Sequence, residues 1–532
     1  MPNTEKTLNR ISSSFRKGPV VLVSRKIEFT FILSYAYLAG YLKKMGEDVK
    51  ILFRPPISQF HALVKQIIDA DPVLVGFGSL YPELSEISSL IKMLDDAGRK
   101  FPIVIGGQMV TPIPEFAVGI TGADFGIVGE GEITLYNLVK ALREGKDAAT
   151  VKGLVIRSAN GFVPTGPGEF IEDLDELPEI PYDLFPVDEW LNIGRWYTRY
   201  CPQPHWKFND RVINVHAGRG CPFTCNFCYH HSKPRFRSMN LALDEASRAL
   251  ARFNGNMLYF SDETTLYSPS RAQQMLEGIR ALPKRVEYSV SSRFDILDKI
   301  NDDLLREMKE TGCRIMGLGI ESGSDRILKV IGKDFSSQTI LRGLERLKKF
   351  GILPTVSVMI GQLTETTQDA EASIALMRES VRYNKNIQYA FTIATPFPGS
   401  KLYDLIFQKG YLRNDKEFYD LYFQNKRGDF KQVVNLSGMR DEELVIMYNK
   451  IQNIYKEEKS EVNKTGVAEV EFLMRGAATV HEFLDRKLKA DPLLKKACWM
   501  SILDKARQWL YEFIQTRLDE FRLRLRGALP WS

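Results

Sequence analysis

Short apolar runs alternate with amphipathic stretches along most of this chain. In the first 150 residues, apolar runs predict strands at 20–23, 49–53, 73–77, 103–105 and 125–128, with helical spacing of apolar residues between them. This alternation predicts a doubly wound, Rossmann-like parallel sheet over residues 18–150. Such sheets bind ligands beyond the carboxyl ends of their strands. The residues at those ends are small or polar: Ser79, Gly106, Gly107, Gln108, Gly129 and Glu130.

The same alternation resumes after residue 207. Predicted helices separate predicted strands at 212–215, 257–261, 286–290, 314–320, 354–360 and 387–393. These units predict a partial (β/α)6 TIM-type barrel over residues 207–410, with its site at the carboxyl ends of the strands. The intervening residues, 151–206, are rich in proline and acidic side chains, which predicts a linker.

The two ends of the chain differ from these predicted domains. Residues 1–17 are polar and predict a tail, whereas residues 411–532 predict a mostly helical region. We expect that region to form a cap packed on the barrel. The alternative is peripheral contact with a membrane through its basic, aromatic-rich C-terminal helix.

Composition narrows the class of protein. The 532 residues suffice for about three domains, and a formal net charge of +6 is too weak to indicate a nucleic-acid partner. No apolar run of about 18 residues predicts a membrane span, and the N-terminus lacks the apolar segment of a secretory signal. Three of the six cysteines lie on one short stretch, unlike a disulfide framework. We therefore expect a cytoplasmic protein.

The clustered cysteines form the pattern C-x3-C-x2-C: Cys221, Cys225 and Cys228. They follow the predicted strand 212–215, which places them on a loop at its carboxyl end. Three thiolates on one loop suit a four-iron cluster whose fourth iron stays open to a small molecule. The alternative is a structural zinc site with a fourth ligand from His216, His230, His231 or Cys201. Zinc sites usually pair cysteines in two C-x2-C arms, and this loop does not, which favours the cluster.

This loop, with Phe227 just before the third cysteine, resembles the signature of the radical SAM enzymes. The string Gly317-Leu318-Gly319-Ile320-Glu321-Ser322-Gly323 is a second mark of that family. The resemblance implies a 4Fe-4S cluster that cleaves S-adenosylmethionine to a 5′-deoxyadenosyl radical.

Polar residues at the barrel's strand ends are candidates for binding S-adenosylmethionine, together with Phe227. The resemblance implies that Asp262 or Glu263 meets its ammonium group; solvated loop acids are the alternative. Arg293 is a candidate for its carboxylate, because a guanidinium fork suits bidentate pairing. Glu321 is expected to bind ribose hydroxyls or to hold an arginine in place.

The predicted N-terminal sheet has no G-x-G-x-x-G after its first strand, which argues against a dinucleotide. The stretch 33–42 and the strand ends resemble the cobalamin-binding domain that precedes many radical SAM cores. That resemblance implies cobalamin at Ser79, Gly106, Gly107, Gln108, Gly129 and Glu130. The motif D-x-H-x-x-G, which supplies a histidine below cobalt in some relatives, is absent. We expect cobalamin without a histidine lower ligand; the alternative is a domain that has lost the cofactor.

Together these resemblances imply a cobalamin-dependent radical SAM methyltransferase that acts on an unactivated carbon or a phosphinate phosphorus. The substrate is expected to be a small molecule, a lipid or a natural product, and the reducing partner a flavodoxin or a ferredoxin. In such an enzyme the radical activates an inert bond and methylcobalamin donates the methyl group.

Three other functions are alternatives to methyl transfer. Oxidative cyclisation or rearrangement, as in the anaerobic porphyrin-ester cyclase, is the alternative within the same class. A cluster-bearing sensor or binding protein is the alternative from another class. Such a protein would not need the candidate ligand-binding residues Asp262 or Glu263, Arg293 and Glu321, and their presence argues against it. Thiomethylation of tRNA would require a second cysteine set, which the N-terminal region lacks.

Overall fold

The computed structural model describes residues 17–25, 32–78, 83–108, 110–191, 205–207, 209–424 and 434–463. The chain divides into two compact units, Met1–Gln452 and Asn453–Ser532. Both predicted α/β domains fall in the first unit. The predicted basic C-terminal helix lies outside the described residues. Within the described ranges, no helix combines the length and the apolar character that a membrane span requires.

Strands and helices alternate in the N-terminal domain, as predicted. The strands are β1 (Val20–Arg25), β2 (Val49–Arg54), β3 (Leu74–Gly78), β4 (Ile103–Gly106), β5 (Phe125–Ile127), β6 (Leu154–Ser158) and β7 (Gly161–Pro164). The helices are α1 (Leu33–Lys44), α2 (Phe60–Asp69), α3 (Leu84–Asp96), α4 (Pro114–Thr121) and α5 (Glu132–Arg143). The sheet order is β2-β1-β3-β4-β5-β6-β7, and the first five strands are parallel. This doubly wound order reverses between β1 and β3, which creates a ligand crevice there.

The N-terminal sheet extends beyond residue 150, where the sequence predicts a linker. β6 pairs antiparallel with β5, and β7 pairs antiparallel with β6. Leu154 and Val155 are buried, so this short apolar run completes the sheet before the proline-rich chain begins. The connection therefore starts after β7, and its described part contains one short α-helix, α6 (Val187–Trp190).

The second domain is a parallel sheet in chain order. Its strands are β8 (Val212–Val215), β11 (Met257–Phe260), β12 (Glu287–Ser292), β13 (Cys313–Glu321), β14 (Leu353–Ile360) and β15 (Gln388–Ile393), and a two-stranded hairpin, β9 (Gly218–Arg219) with β10 (Arg235–Phe236), follows β8. The helices are α7 (Met239–Phe253), α8 (Pro269–Arg280), α9 (Phe294–Lys299), α10 (Asp302–Thr311), α11 (Asp325–Val330), α12 (Ser337–Phe350) and α13 (Thr367–Tyr383). The order β8-β11-β12-β13-β14-β15 is that of a (β/α)6 partial barrel, which confirms the predicted fold class.

The chain after the barrel forms α14 (Lys401–Gln408), α15 (Asp415–Tyr419) and α16 (Asp441–Asn463). Helices α14 and α15 pack back onto the N-terminal domain, whereas Tyr448 of α16 donates to the Phe391 carbonyl of β15. Apolar side chains of α14 and α15 share one buried core with side chains of β1, β3, β4, α2, α3 and α4. The two domains are therefore joined by a continuous apolar core, and not only by the chain between them.

A buried carboxyl group shapes the turn after β14. Glu365 is fully buried, and its Oε2 accepts hydrogen bonds from the backbone amides of Gly361 and Gln362. Gly361 has a φ of 86°, a conformation that favours glycine. Burial raises the pKa of Glu365 from 4.5 to about 7, although the two amides oppose the shift.

The stability of this domain is predicted to depend on the protonation of Glu365. Because its pKa is raised on folding, the folded chain binds more protons than the unfolded chain between pH 4.5 and about 7. Stability from this group is therefore lost as pH rises through that window, by about 3 kcal/mol in total. Glu365→Gln should remove this loss, so chemical denaturation of both proteins should show a difference that grows with pH. A difference that stays constant with pH would contradict the assignment.

Candidate cluster and cofactor site

The three cysteines lie on residues 220–234, which we call the cluster loop. The hairpin β9–β10 closes its base and pairs Arg219 with Arg235. Gly220 has a φ of 73°, and a Cβ there would lie 2.6 Å from the carbonyl oxygen of Ser232. Only glycine allows the loop to close on itself at this point.

Asn226 anchors the middle of the cluster loop. Its backbone N–H donates to the Ile331 carbonyl at 3.2 Å, and its side-chain amide donates to the Val330 carbonyl at 3.1 Å. Its own carbonyl accepts from the Leu402 amide at 3.2 Å. The loop is thus tied to the end of α11 on one side and to the start of α14 on the other.

The thiols lie among polar and cationic groups. The Cys228 thiol hydrogen-bonds the Cys225 sulfur, and Lys333 and Arg293 lie nearby, so the pKa of Cys225 is lowered to about 6 despite burial. The pKa of Cys228 is raised because it holds the proton that the pair shares. The Cys221 sulfur lies 3.3 Å from the Thr264 hydroxyl oxygen. These surroundings favour the thiolate at Cys225, the form in which cysteine binds metal.

The ligands available on the cluster loop fit a cluster better than a single zinc ion. Among the described residues, the metal-ligand atoms that lie within 4.8 Å of one another belong to Cys221, His230 and Glu263. A zinc ion bound by that group would leave the thiols of Cys225 and Cys228 unused. A four-iron cluster would use all three thiols of the loop.

The two predicted acids after β11 have different surroundings. Asp262 Oδ1 accepts hydrogen bonds from the backbone amides of Ala217 at 2.8 Å and Gly218 at 2.9 Å. Burial raises the pKa of Asp262 to about 7, and these amides oppose that rise. Glu263 is 40% exposed and lies 3.1 Å from Nδ1 of His230. Asp262 therefore holds the chain that leads into the cluster loop, whereas Glu263 is the acid that remains available to a ligand.

Arg293 lies beside the cluster loop, as its predicted role requires. Its Nη1 donates to the Cys225 sulfur at 3.6 Å, and its guanidinium carbon stands 3.8 Å from the centre of the Phe223 ring. Its Nε donates to Asp295 at 2.8 Å. Nη2 is buried and has no hydrogen-bond partner within the described ranges. An incoming carboxylate is a suitable partner for that nitrogen.

Glu321 sits on a strained backbone at the end of β13. Its φ is 64°, in the left-handed region that non-glycine residues seldom adopt. The Ser357 hydroxyl donates to its carboxylate at 3.1 Å, and Lys333 Nζ lies 3.5 Å away. A Cβ on Gly319 would lie 2.2 Å from Glu321 Oε1, so this glycine makes room for the carboxylate. Such strain is concentrated at functional sites.

The side chain of Phe227 has a different position from the one its predicted role suggests. It packs, partly buried, against the apolar core that the two domains share. Its ring therefore helps to fix the cluster loop on the N-terminal domain. A contact between Phe227 and S-adenosylmethionine stays a prediction.

The carboxyl edge of the N-terminal sheet has open glycines where cobalamin is expected. Gly107 and Gly129 have φ angles of 87° and 90°, and no heavy atom lies within 4 Å of a Cβ built on Gly129. Thr111 links the two, because its hydroxyl donates to the Gly107 carbonyl at 3.3 Å and accepts from the Gly129 amide at 3.0 Å. Gln108 is exposed and Gly106 is half-buried. Ser79 lies outside the described residues.

The N-terminal domain contains one histidine, His61, which is exposed near the start of α2. The Tyr35 hydroxyl occupies the crevice between β1 and β3, 2.8 Å from the Val23 carbonyl and 2.7 Å from that of Gly78. The open, glycine-rich edge fits the flat corrin ring. Binding of cobalamin without a histidine lower ligand stays a prediction.

Glu130, predicted to contact cobalamin, is instead paired with arginines of the hairpin. One carboxylate oxygen pairs with Arg219 at 2.7 Å, and the other pairs with Arg235. Glu132 pairs with Arg219 at 2.7 Å. We call these four side chains the clamp. The Glu130 side chain is therefore engaged by the hairpin in this structure, and its contact with cobalamin stays a prediction.

The clamp and Lys333 are the parts of the site that sequence reasoning missed. The sequence does contain opposite charges on the two predicted domains: Glu130 and Glu132 follow β5, and Arg219 and Arg235 flank the three cysteines. No sequence rule pairs charges about 90 residues apart, so the signal could be found only from the fold.

The role of Asp262 can be separated from ligand binding by substitution. Asp262→Asn keeps a carbonyl acceptor for both amides, so we expect iron content and affinity for S-adenosylmethionine to stay near those of the wild type. Asp262→Ala leaves two buried amides unpaired, at a cost of about 1–3 kcal/mol each, and should lower the iron retained per chain.

The measurements are iron content and equilibrium binding of labelled S-adenosylmethionine. Arg293→Ala is the positive control and should weaken binding about tenfold, since hydrogen bonds to charged groups contribute about 1.5–3 kcal/mol. Arg306→Ala, at an exposed arginine on α10, should change nothing. Weakened binding by Asp262→Asn at full iron content would show that Asp262 contacts the ligand.

Comparisons with known proteins agree with this geometry. The radical SAM superfamily model matches residues 215–377, and the B12 binding domain model matches residues 30–139. An uncharacterized methyltransferase of Pyrococcus horikoshii is 30% identical over 70% of this chain and 77% of its own length. An anaerobic magnesium-protoporphyrin IX monomethyl ester cyclase of Rubrivivax gelatinosus is 25% identical over 69% of this chain and 65% of its own.

A solved structure shares the fold. The radical S-adenosylmethionine methyltransferase TsrM from Kitasatospora setae, solved with cobalamin and a 4Fe-4S cluster, matches with a TM-score of 0.58 at 17% identity, over 74% of this chain and 75% of TsrM. At that identity the likeness concerns the fold alone. With the two family models, the Pyrococcus relative and the C-x3-C-x2-C loop in place, the chain belongs to the radical SAM enzymes that carry a B12-binding domain ahead of the radical SAM domain.

Proposed function

We propose that this enzyme is a cobalamin-dependent methyltransferase whose small-molecule substrate binds between the cluster loop and the carboxyl edge of the N-terminal sheet. One observation carries the proposal: the cluster loop touches that edge directly. His231 Nε2 lies 3.0 Å from the Gly129 carbonyl oxygen, beside the glycines expected to meet cobalamin. A substrate at this junction is within reach of both cofactors, which methyl transfer to an inert position requires.

The cofactors divide the chemistry between them. When bound, the cluster and S-adenosylmethionine supply a hydrogen-abstracting radical, and the corrinoid supplies a transferable methyl group. The protein has to orient these groups and to exclude competing reactions. The clamp and the shared apolar core fix the two cofactor edges in place, which suits that task.

Three side chains are proposed to bind S-adenosylmethionine. Glu263 meets the ammonium group, Arg293 uses its unpartnered Nη2 for the carboxylate, and Glu321 meets the ribose hydroxyls. The geometry supports this division because Glu263 and Arg293 each lie near a different cluster cysteine, Cys221 and Cys225 respectively. Opposite charges at these two points match the two charged groups of a methionine moiety.

The barrel offers room for the ligand above β13 and β14. Gly317 and Gly319 of β13 pair with Thr355 and Ser357 of β14, and all four residues are only half-buried. The space at Gly319 is taken by Glu321 and Lys333, whereas a Cβ on Gly317 would lie no closer than 3.7 Å to its nearest neighbour. Hydroxyl groups line this space, which favours a polar ligand such as the adenosyl group.

Oxidative cyclisation is the second candidate, because the Rubrivivax cyclase is a relative. The two reactions differ in the fate of the methyl group. A methyltransferase transfers it to the product, whereas a cyclase forms a new bond within the substrate and transfers no carbon. Either reaction needs a low-potential reductant, which we propose to be a flavodoxin or a ferredoxin.

An isotope experiment separates the two reactions. The reconstituted enzyme is incubated anaerobically with hydroxocobalamin, a reductant, a small-molecule cell extract and S-adenosylmethionine whose methyl group carries deuterium. For a methyltransferase we expect mass spectrometry to find a product that carries the intact labelled methyl group. The matched control is Cys225→Ala, which removes a cluster ligand and should abolish the labelled product.

The other outcomes are equally clear. A new product without label, together with 5′-deoxyadenosine, would replace the methyltransferase with a cyclase or a rearrangement enzyme. Failure of the wild type to cleave S-adenosylmethionine with any extract would favour a non-catalytic sensor.

A further inference from the structure

The cluster loop has a weak frame of its own. The strands of its hairpin, β9 and β10, have two residues each, and isolated two-stranded hairpins are marginally stable. The residues paired across this hairpin are Arg219 and Arg235. Like charges directly opposite each other on paired strands are destabilising, so the loop needs a counter-charge from outside.

That counter-charge comes from the N-terminal domain, through the clamp. The four side chains of the clamp are between 6% and 13% exposed. Arg219 lies 2.7 Å from a carboxylate oxygen of Glu130 and 2.7 Å from one of Glu132, so its charge is compensated within the clamp. When one partner of a buried ion pair is removed, the remaining charge is left uncompensated, which is strongly destabilising.

The loop that supplies these acids also forms the expected cobalamin edge. Gly129 precedes Glu130, presents open space at its Cβ position and is tied through Thr111 to Gly107. The carbonyl oxygen of Gly129 also lies 3.0 Å from Nε2 of His231 in the cluster loop. A ligand that fixes the position of residues 129–132 therefore also stabilises the contacts that hold the cluster loop.

We propose that the clamp couples the two cofactor sites, so that a bound corrinoid strengthens retention of the cluster and a bound cluster strengthens binding of the corrinoid. The two effects are equal in size, because linkage between binding sites is reciprocal. Arg219, Arg235, Glu130 and Glu132 are positioning residues in this account. The inference rests on the proposed binding of cobalamin at the Gly107–Gly129 edge.

Chelation of the cluster measures this coupling. Reconstituted holoenzyme is exposed anaerobically to an iron chelator, and loss of the cluster's absorbance is followed with and without saturating hydroxocobalamin. In the wild type we expect the corrinoid to slow the loss about fivefold or more, the lower end of typical coupling between sites. In Glu130→Gln, which keeps the size of the side chain and removes its charge, we expect this ratio to fall close to one.

Another ion pair of the cluster loop provides a matched control. Glu172 pairs with Lys233 of the cluster loop at 2.9 Å, but both side chains are more than half exposed, at 69% and 54%. Glu172→Gln should therefore keep the wild-type ratio. If Glu130→Gln does not fold, Glu132→Gln, which removes one partner of Arg219 and leaves Glu130 in place, should give an intermediate ratio.

The reverse effect is measured by spectral titration with hydroxocobalamin. The iron-free wild type should bind the corrinoid more weakly than the iron-loaded wild type, and Glu130→Gln should show no such difference. A clamp with a purely structural role would speed cluster loss equally with and without corrinoid.

Each remaining outcome overturns a defined part of the account. A wild-type ratio of one with corrinoid bound would refute the coupling and leave the proposed methyl transfer intact. A wild-type ratio in Glu130→Gln would refute the role of the clamp. A chain that binds no corrinoid would refute both the coupling and the cobalamin-dependent function.

Discussion

Two buried arginines, opposed across a short hairpin, are held by glutamates from the other domain, and the site depends on this ion-pair network. The apolar core shared by α3, α4, α14 and α15 brings the domains together, but apolar contact is non-directional. Paired charges with planar guanidinium groups fix orientation far better. The apolar core therefore supplies adhesion between the domains, and the clamp sets where the cluster loop lies on the cobalamin edge.

Acids at the strand ends of the barrel divide into two groups by what they contact. Asp262 and Glu365 accept hydrogen bonds from backbone amides and hold turns in place. Glu263 and Glu321 contact side chains only, His230 for the first and Ser357 with Lys333 for the second. The first group builds the rim of the barrel, and we propose that the second meets a charged or hydroxylated ligand. The same residue type thus serves structure and binding a few ångströms apart.

Much of the fold and the position of the three cysteines on one loop could be predicted from sequence, and the reasons are local. Apolar periodicity locates the strands, and the C-x3-C-x2-C loop directly follows one of them, so both signals lie within short segments. Three features escaped prediction because they depend on distant contacts. β6 and β7 complete a sheet whose edge is known only once it is folded. The structural role of Asp262 depends on hydrogen bonds from backbone amides some 45 residues away in the chain. The clamp joins residues from two domains.

The central claim is that one chain holds a cluster and a corrinoid against a common cavity. Electron paramagnetic resonance tests it most directly, because a reduced 4Fe-4S cluster and cob(II)alamin are both paramagnetic. The enzyme loaded with both cofactors should show strong magnetic coupling between the two centres, and the coupling should be absent when either cofactor is omitted. Two independent, unperturbed spectra from a fully loaded enzyme would show that the cofactors do not share a cavity and would contradict the account.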